Sequence, residues 1–361
     1  MEGKSSINVA IIAYGYAGRK IHAHLLARTP GLVIYGVMAR SAELRNQAKI
    51  DHPSCKTFET FEEVLSDPDV HLVVLASPTS LHCDQAVRAL RANKHVVTDK
   101  PMCRTVSECD LMLAAARDSG KMLSVFQNRR WDGDFLTVQQ VLAEKQLGER
   151  VRFMELAFQR FGLSGKAWKN SSIEEGAGAL LDLGAHTVDQ LNRINQKPIS
   201  TIYARILKDF PEAPGVDSNS IIFVNYVDGS TALLDISSIA ANPKPRFHLS
   251  GPKATFTKYG LDPQELAMVA GDIDSARESP ANSGTVTDGA SKAVTVIPTL
   301  PGRWRNYYEN VADHLLRGAT LEVPASQIRK NVAVLEAAQL SALHNKVIPF
   351  AQVYGVTERQ D

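Results

Sequence analysis

The sequence predicts an α/β protein: an N-terminal doubly wound parallel sheet followed by an α+β part built on a mainly antiparallel sheet. Three observations carry this expectation. From Ile7 to Phe126, short apolar runs alternate with segments of helical period, the pattern of repeated strand–helix–strand units. The first run leads into a glycine-punctuated turn and a helix. From Thr201 the pattern changes to consecutive strands joined by turn residues, which reads as antiparallel pairing. A chain of 361 residues with 44% hydrophobic content suits two domains with sizeable cores, and the end of the sixth strand sets the division at 1–127 and 128–361.

Ile7 to Ile12 reads as a strand buried on both faces. The turn after it, Ala13-Tyr14-Gly15-Tyr16-Ala17-Gly18, has the form A-x-G-x-x-G and runs into a helical segment from Arg19 to Arg28, stopped by Thr29-Pro30-Gly31. Gly15 lets a backbone approach a pyrophosphate, Gly18 lets helix and strand pack, and the helix N-terminus faces the negative charge. Tyr14, Gly15, Tyr16, Ala17 and Gly18 are therefore candidate cofactor-binding positions, with Ala13 standing where the motif has its first glycine. The second strand, Leu32 to Met38, ends in Ala39-Arg40-Ser41, where an NAD-selective site carries an acid for the ribose hydroxyls. A base and a hydroxyl at Arg40 and Ser41 suit a 2′-phosphate instead and point to NADP, with NAD as the alternative.

A helix at Ala42 to Lys49, a short strand near Cys55 to Phe58, and a helix opened by Thr60 with Glu63 in capping-box spacing continue the alternation. The fourth strand, Val70 to Ala76, delivers Ser77-Pro78-Thr79 to the carboxyl edge of the sheet, where ligands bind in this architecture. His82 follows, read equally as a packing residue and as a cofactor contact. The fifth strand, His95 to Thr98, brings Asp99-Lys100-Pro101 to the same edge, and Pro101 restricts Lys100 to extended backbone. Ser107 is expected to cap the next helix, and Met122 to Phe126 is the sixth strand.

Asn128-Arg129-Arg130-Trp131-Asp132 opens the second part, with a helix at Phe135 to Lys145 and a strand at Arg150 to Arg160. Strands follow at Ile202 to Leu207, Ser220 to Tyr226 and Thr231 to Ser237, the last two joined by a tight turn at Asp228-Gly229. Residues 251–291, rich in Gly, Pro, Asp and Ser, read as irregular loops around one or two short elements. Asn306 to Leu316 and Ile328 to Leu343 are expected closing helices.

Forty basic against thirty-nine acidic residues leave almost no net charge, which argues against nucleic acid or an anionic membrane as partner. The four cysteines, Cys55, Cys83, Cys103 and Cys109, form no C-x-x-C pair, so neither a zinc site nor a disulfide framework is expected; no metal is, either. The opening MEGKSS and the short run after it lack the form of a signal peptide, no run has the length of a membrane span, and a cytoplasmic location fits.

The chemistry is expected in EGAGALLDLGAHTVDQ, Glu175 to Gln190. A flexible Gly176-Ala177-Gly178 entry leads into a helical pattern that puts Asp182, His186 and Asp189 on one face, beside an apolar stripe of Leu181, Ala185 and Val188. Gly184 inside this helix suggests that another backbone or a ligand approaches closely there. Lys100 from the strand edge completes the candidate set.

The A-x-G-x-x-G turn, Asp99-Lys100-Pro101, and the helix with Asp182 and His186 together resemble the glucose–fructose oxidoreductase and inositol dehydrogenase (Gfo/Idh/MocA) family. LSVFQNRRWDGDFLT at Leu123 to Thr137 and KYGLDPQE at Lys258 to Glu265 resemble its NADP-dependent scyllo-inositol dehydrogenase branch. The resemblance implies a Rossmann domain, then a mixed domain whose large open sheet mediates homodimers or homotetramers, with substrate between the domains. Lys100 matches the lysine of the family's E-K-P motif, Asp182 and His186 its aspartate and histidine, and Trp168 and Lys169 a pair that lies near the cofactor in relatives. Asp99 departs from the glutamate of most members. Asp99 and Asn128 complete the expected cofactor contacts, and Arg160 and Tyr259 the expected substrate contacts.

The expected reaction is hydride transfer between NADP and a secondary alcohol or ketone of a cyclic polyol or sugar, with His186 or Lys100 taking the hydroxyl proton and Asp182 orienting. A reductase of another carbonyl or an imine on the same fold is the alternative. A non-catalytic sensor is a third reading, which has no need to keep Lys100, Asp182 and His186 together.

Overall fold

The computed structural model of the chain describes residues 6–163 and 176–355. Six strands form the first sheet: β1 Ile7–Ile12, β2 Leu32–Met38, β3 Lys56–Phe58, β4 Leu72–Leu75, β5 His95–Thr98 and β6 Leu123–Val125. They run in parallel in the order β3-β2-β1-β4-β5-β6, so the order reverses between β1 and β4, where a doubly wound sheet opens its ligand crevice. β4 is buried at every position, which is why its sequence is a continuous apolar run rather than an alternation. The connections carry α1 Ala23–Leu26, α2 Ala42–Asp51, α3 Phe61–Ser66, α4 Thr79–Arg91 and α5 Val106–Ser119.

Local chemistry sets most of these boundaries. The Thr60 hydroxyl accepts from the Glu63 amide at the start of α3, as the capping pattern predicts. At α5 the cap is Thr105, which accepts from Glu108, and not the expected Ser107. Both residues suit a cap, but Thr105 has the extended backbone a cap requires, while Ser107 lies inside the helix. The helix expected over 19–28 instead opens with a wide π-type turn at Ala17–His22 before α1.

The second sheet has nine strands in the order β14-β13-β12-β11-β7-β10-β9-β8-β15. They are β7 Phe153–Gln159, β8 Ile199–Leu207, β9 Asn219–Tyr226, β10 Thr231–Ser237, β11 Phe247–Ser250, β12 Ala254–Lys258, β13 Gly284–Asp288, β14 Val294–Ile297 and β15 Ile348–Pro349. The sheet is mainly antiparallel, as expected, with one parallel pair, β7 with β10. One expectation needs correction. The stretch 251–291 is not mainly irregular: β12 and β13 lie in it, flanked by β11 and β14, and together they extend the sheet by four strands. α6 Gly133–Ala143, α7 Ala179–Asp182, α8 Gly184–Ile194, α9 Gln264–Val269, α10 Arg305–Arg317, α11 Ala325–His344 and α12 Ala351–Tyr354 complete the part. α8 and α11 pack against each other; α11 covers β8, and α8 lies on β7 and β10. The opposite face of the sheet carries exposed Phe153 and Phe223. No described helix is long and apolar enough to cross a membrane.

Candidate active site

The phosphate turn is built as the motif requires. A Cβ on Gly18 would lie 2.1 Å from the Ala13 carbonyl oxygen, so only glycine lets the helix sit so close to the strand. A Cβ on Gly15 would meet nothing within 4 Å, leaving an open approach to the backbone there. Ala13 takes φ 71°, the left-handed conformation that its motif position demands of a glycine, at a cost of about 1–2 kcal/mol. These features fit a dinucleotide pyrophosphate. The Tyr14 side chain is buried and donates to Asp51 at 3.1 Å, so from this residue only backbone is left for a cofactor. Arg40 and Ser41 are exposed just past β2, and the Arg40 guanidinium makes no hydrogen bond or ion pair among the described residues. Arg45 shapes this corner by donating to the Ala39 and Arg40 carbonyls.

At the edge of β4, the Ser77 hydroxyl donates to Gln85. Thr79 packs against Gly176, whose φ of +87° and close approach suit glycine: a Cβ there would lie 2.6 Å from the Thr79 side chain. Gly176, Ala177 and Gly178 are buried, so the expected flexible entry is a packed joint between the β4 edge and α7. His82 lies in the interior, its ring nitrogens 3.0 and 2.9 Å from the carbonyls of Pro101 and Ser77. It ties the β4 and β5 edges together, as its packing reading expects.

Lys100 reaches across from the β5 edge to α7. Its ammonium donates to the Asp182 carboxylate and to the Asp182 main-chain carbonyl, each at 2.7 Å. Both side chains are largely shielded. α7 is held in turn by Asp217, a buried residue that the sequence reading did not single out: its carboxylate accepts from the Leu180 amide and from Ser220. A short polar run, Asp217-Ser218-Asn219-Ser220, carries no signal distinguishing it from an ordinary turn. Asp99 accepts from the Lys100 amide at 2.7 Å and faces buried His22 at 3.6 Å. Burial raises the Asp99 carboxyl, but His22, Lys100 and His82 outweigh it and hold the group below its ordinary value.

His186 is 5% exposed, and its Nδ1 has no partner among the described residues. Burial, reinforced by the charges of Lys100 and Arg129, holds its pKa well below 6.5, so the imidazole is neutral at physiological pH. Gln127, also missed, lies just past β6 and donates weakly to the Ala185 carbonyl at 3.4 Å. Neighbouring Asn128 is buried at the start of the turn Asn128–Trp131.

The expected single helical face does not form. The chain breaks between α7 and α8 at Leu183, and Asp189 turns inward to a bidentate ion pair with Arg130, both contacts 2.8 Å, supported by Asn331 at 2.8 Å. Asp189 thus braces α8 against α11 and the Asn128–Trp131 turn. Gly184 is approached not by another backbone but by the side chains of Leu180, Leu335 and Ile236. Arg160 follows β7 half-buried, with its Nε lacking a partner among the described residues. Tyr259 is exposed past β12, in the segment leading to α9, and no described contact joins it to Lys100, Asp182 or His186. Trp168 and Lys169 lie outside the described residues.

Residues 7–127 match the model of an oxidoreductase family with an NAD-binding Rossmann fold, and residues 135–257 match a GFO/IDH/MocA C-terminal domain. The chain is 31% identical over 349 residues to scyllo-inositol 2-dehydrogenase (NADP(+)) IolW of Bacillus subtilis, covering 95% of this chain and 96% of that protein. It is 33% identical over 353 residues to the uncharacterized oxidoreductase YdgJ of Escherichia coli, covering 96% and 99%. The solved structure of yvaA from Bacillus subtilis, 29% identical, has a TM-score of 0.90 and covers 97% of this chain and 99% of that one.

Proposed function

The chain belongs to the Gfo/Idh/MocA oxidoreductase family, and from that premise we propose that it transfers a hydride between NADP and a secondary alcohol or ketone of a cyclic polyol or sugar. The observation that carries this reading is the Lys100–Asp182 pair at the carboxyl edge of the parallel sheet, with neutral His186 on the following helix. The dinucleotide, when bound, supplies or accepts the hydride. The Gly15–Gly18 turn holds its pyrophosphate, and Arg40 with Ser41 its 2′-phosphate.

The chain's own residues handle the proton. Lys100 commits two of its three N–H donors to Asp182, which leaves the third to point at the reacting oxygen. An ammonium there stabilises negative charge developing on that oxygen. His186, neutral and buried, accepts the hydroxyl proton on oxidation and returns it on reduction. Arg160 supplies hydrogen bonds to further hydroxyls of the substrate. Residues 1–127 form the cofactor domain in this reading, and 128–361 the substrate and assembly domain. The similarity to a protein named as an NADP-dependent scyllo-inositol dehydrogenase supports both the polyol class and the cofactor.

The test is a screen of cyclic polyols, sugars, simple ketones and imines, read by NADPH absorbance. Turnover of a cyclic polyol or its ketone is expected. Turnover confined to imines or open-chain carbonyls would replace the substrate class.

A further inference from the structure

Residues 129–133 and 262–265 lock together in the second part of the chain. Asp262 accepts from the Gly133 amide at 2.6 Å. The Gln264 side chain donates to the Trp131 carbonyl at 3.1 Å and accepts from the Trp304 amide at 2.8 Å, while the Trp304 indole donates to Asp132 at 2.6 Å. Arg129 is set in this node. Its guanidinium donates to Asp132 at 3.1 Å and to Glu265 at 2.8 Å, and lies over the rings of Phe158 and Trp304.

This node reaches the other domain. The second carboxylate oxygen of Glu265 accepts the Tyr16 phenol at 3.2 Å, and Tyr16 stands inside the phosphate turn between Gly15 and Gly18. α9, which carries Glu265, packs on the π-type turn Ala17–His22. On the far side, the Arg129 carbonyl accepts from Gln190 at 3.0 Å, one turn beyond His186 on α8. A continuous chain of hydrogen bonds therefore runs from the phosphate turn through Glu265 and Arg129 to the helix of His186. The turn has reason to need an outside hold, since Ala13 keeps it in a left-handed conformation that costs energy in any residue but glycine. Burial and Glu265 push the Tyr16 phenol up to about 12, so it remains a donor across the physiological range.

We propose that Glu265 is a positioning residue for the dinucleotide, gripping the phosphate turn through Tyr16 and holding it in register with the His186 helix through Arg129. The proposal rests on reading the glycine turn as the dinucleotide site, but not on the substrate. Glu265 touches neither cofactor nor substrate in this scheme. Its effect passes through Tyr16.

The test is equilibrium titration of the full-length protein with NADPH and, separately, NADH, followed by nucleotide fluorescence, with no polyol present. Tyr16→Phe and Glu265→Ala should each raise Kd by about tenfold, the scale of one hydrogen bond to a charged group. The double variant should be no weaker than the weaker single variant, because Tyr16→Phe removes a contact that Glu265→Ala already lacks, and Glu265→Gln, which still accepts from the phenol, should recover most of the loss. An unchanged Kd in Tyr16→Phe, or losses that multiply in the double variant, would overturn the proposal. Should Glu265→Ala fail to fold by circular dichroism, Tyr16→Phe and Glu265→Gln decide. A wild type that binds NADH more tightly overturns the NADP reading, while the ratios between variants still judge Glu265.

Discussion

The Lys100 ammonium is held twice by one residue, donating at 2.7 Å to the Asp182 carboxylate and at 2.7 Å to its main-chain carbonyl. The carboxylate alone would fix a direction; the second contact ties the lysine to α7 itself. Lys100→Met and His186→Ala should therefore each cut turnover by about 10²-fold or more while changing cofactor Kd little, as for positioned proton-handling groups. Asp182→Asn keeps the carbonyl contact and should cost less than Lys100→Met. Steady-state kinetics with a separate cofactor titration reads all three, and full turnover in either of the first two variants removes that residue from the mechanism.

The pH profile follows from His186. Its pKa is held well below 6.5 by burial and then by Lys100 and Arg129, so the base form persists as pH falls through 6.5. kcat/KM for oxidation should stay flat from pH 8 to below 6.5 before His186 protonates. The sign for stability is the reverse of a salt-bridged histidine: the unfolded chain takes up the proton near 6.5 and the folded chain does not, so stability falls as pH drops below 6.5. An acid limb centred near 6.5 in kcat/KM would exclude His186 as a buried base.

A second buried group gives an opposite slope. Asp134 on α6 is fully buried, with both carboxylate oxygens lacking partners among the described residues, and burial pushes its pKa up to about 6. Below about 4 the group is protonated in both states; between 4 and 6 the folded chain keeps a proton that the unfolded chain has lost, so its contribution to stability falls as pH rises. Asp134→Asn should gain on wild type by up to about 3 kcal/mol between pH 4 and pH 7.5, from a shift of about two units. Urea melts of both proteins at the two pH values read this difference, and a constant offset would show that Asp134 stays ionised in the fold.

The parallel sheet is readable from sequence because its strands are short, mostly buried apolar runs that end at turn residues. Ile7–Ile12, Leu32–Met38 and His95–Thr98 need no tertiary information. The strands from Phe247 to Ile297 do. ATFTK, GTVTD and VTVI alternate, but each is four or five residues long and sits among glycines, prolines and acids, and β14 is largely exposed, so no apolar run marks it. At the site, the pairing of Lys100 with Asp182 spans 82 residues and Asp217 to Leu180 spans 37, distances over which only the fold selects partners. Asp189 shows the converse: helical spacing placed it with His186, but a tertiary partner, Arg130, decides where it points.

Assembly is expected through the outer face of the second sheet. Tyr203, Phe223 and Leu233 stand in register across β8, β9 and β10, on the face opposite buried Ile222 and Val224. Phe223→Glu puts a charge in the middle of this row and should give a monomeric mass by light scattering where wild type gives a dimer or larger. A monomeric wild type at micromolar concentration ends the idea.

Cofactor choice is expected to depend on Arg40. The guanidinium is exposed just past β2, where the adenine ribose lies in this architecture, and makes no hydrogen bond or ion pair among the described residues. Arg45 already holds the Arg40 carbonyl and pairs with Glu59, so the backbone of the corner is set without the Arg40 side chain. No acid stands between Val37 and Ala42 to accept two ribose hydroxyls. A charge-assisted contact to a 2′-phosphate contributes roughly 1.5–3 kcal/mol, so removing it should weaken NADP binding by about one to two orders of magnitude. NAD offers the guanidinium no phosphate at that point and should bind Arg40→Ala nearly as it binds wild type. Titrations of both proteins with both cofactors at one salt concentration measure the two ratios. If wild type binds NAD as tightly as NADP, or if Arg40→Ala weakens both alike, Arg40 is a solvated charge at a strand end and the preference must come from elsewhere in the crevice.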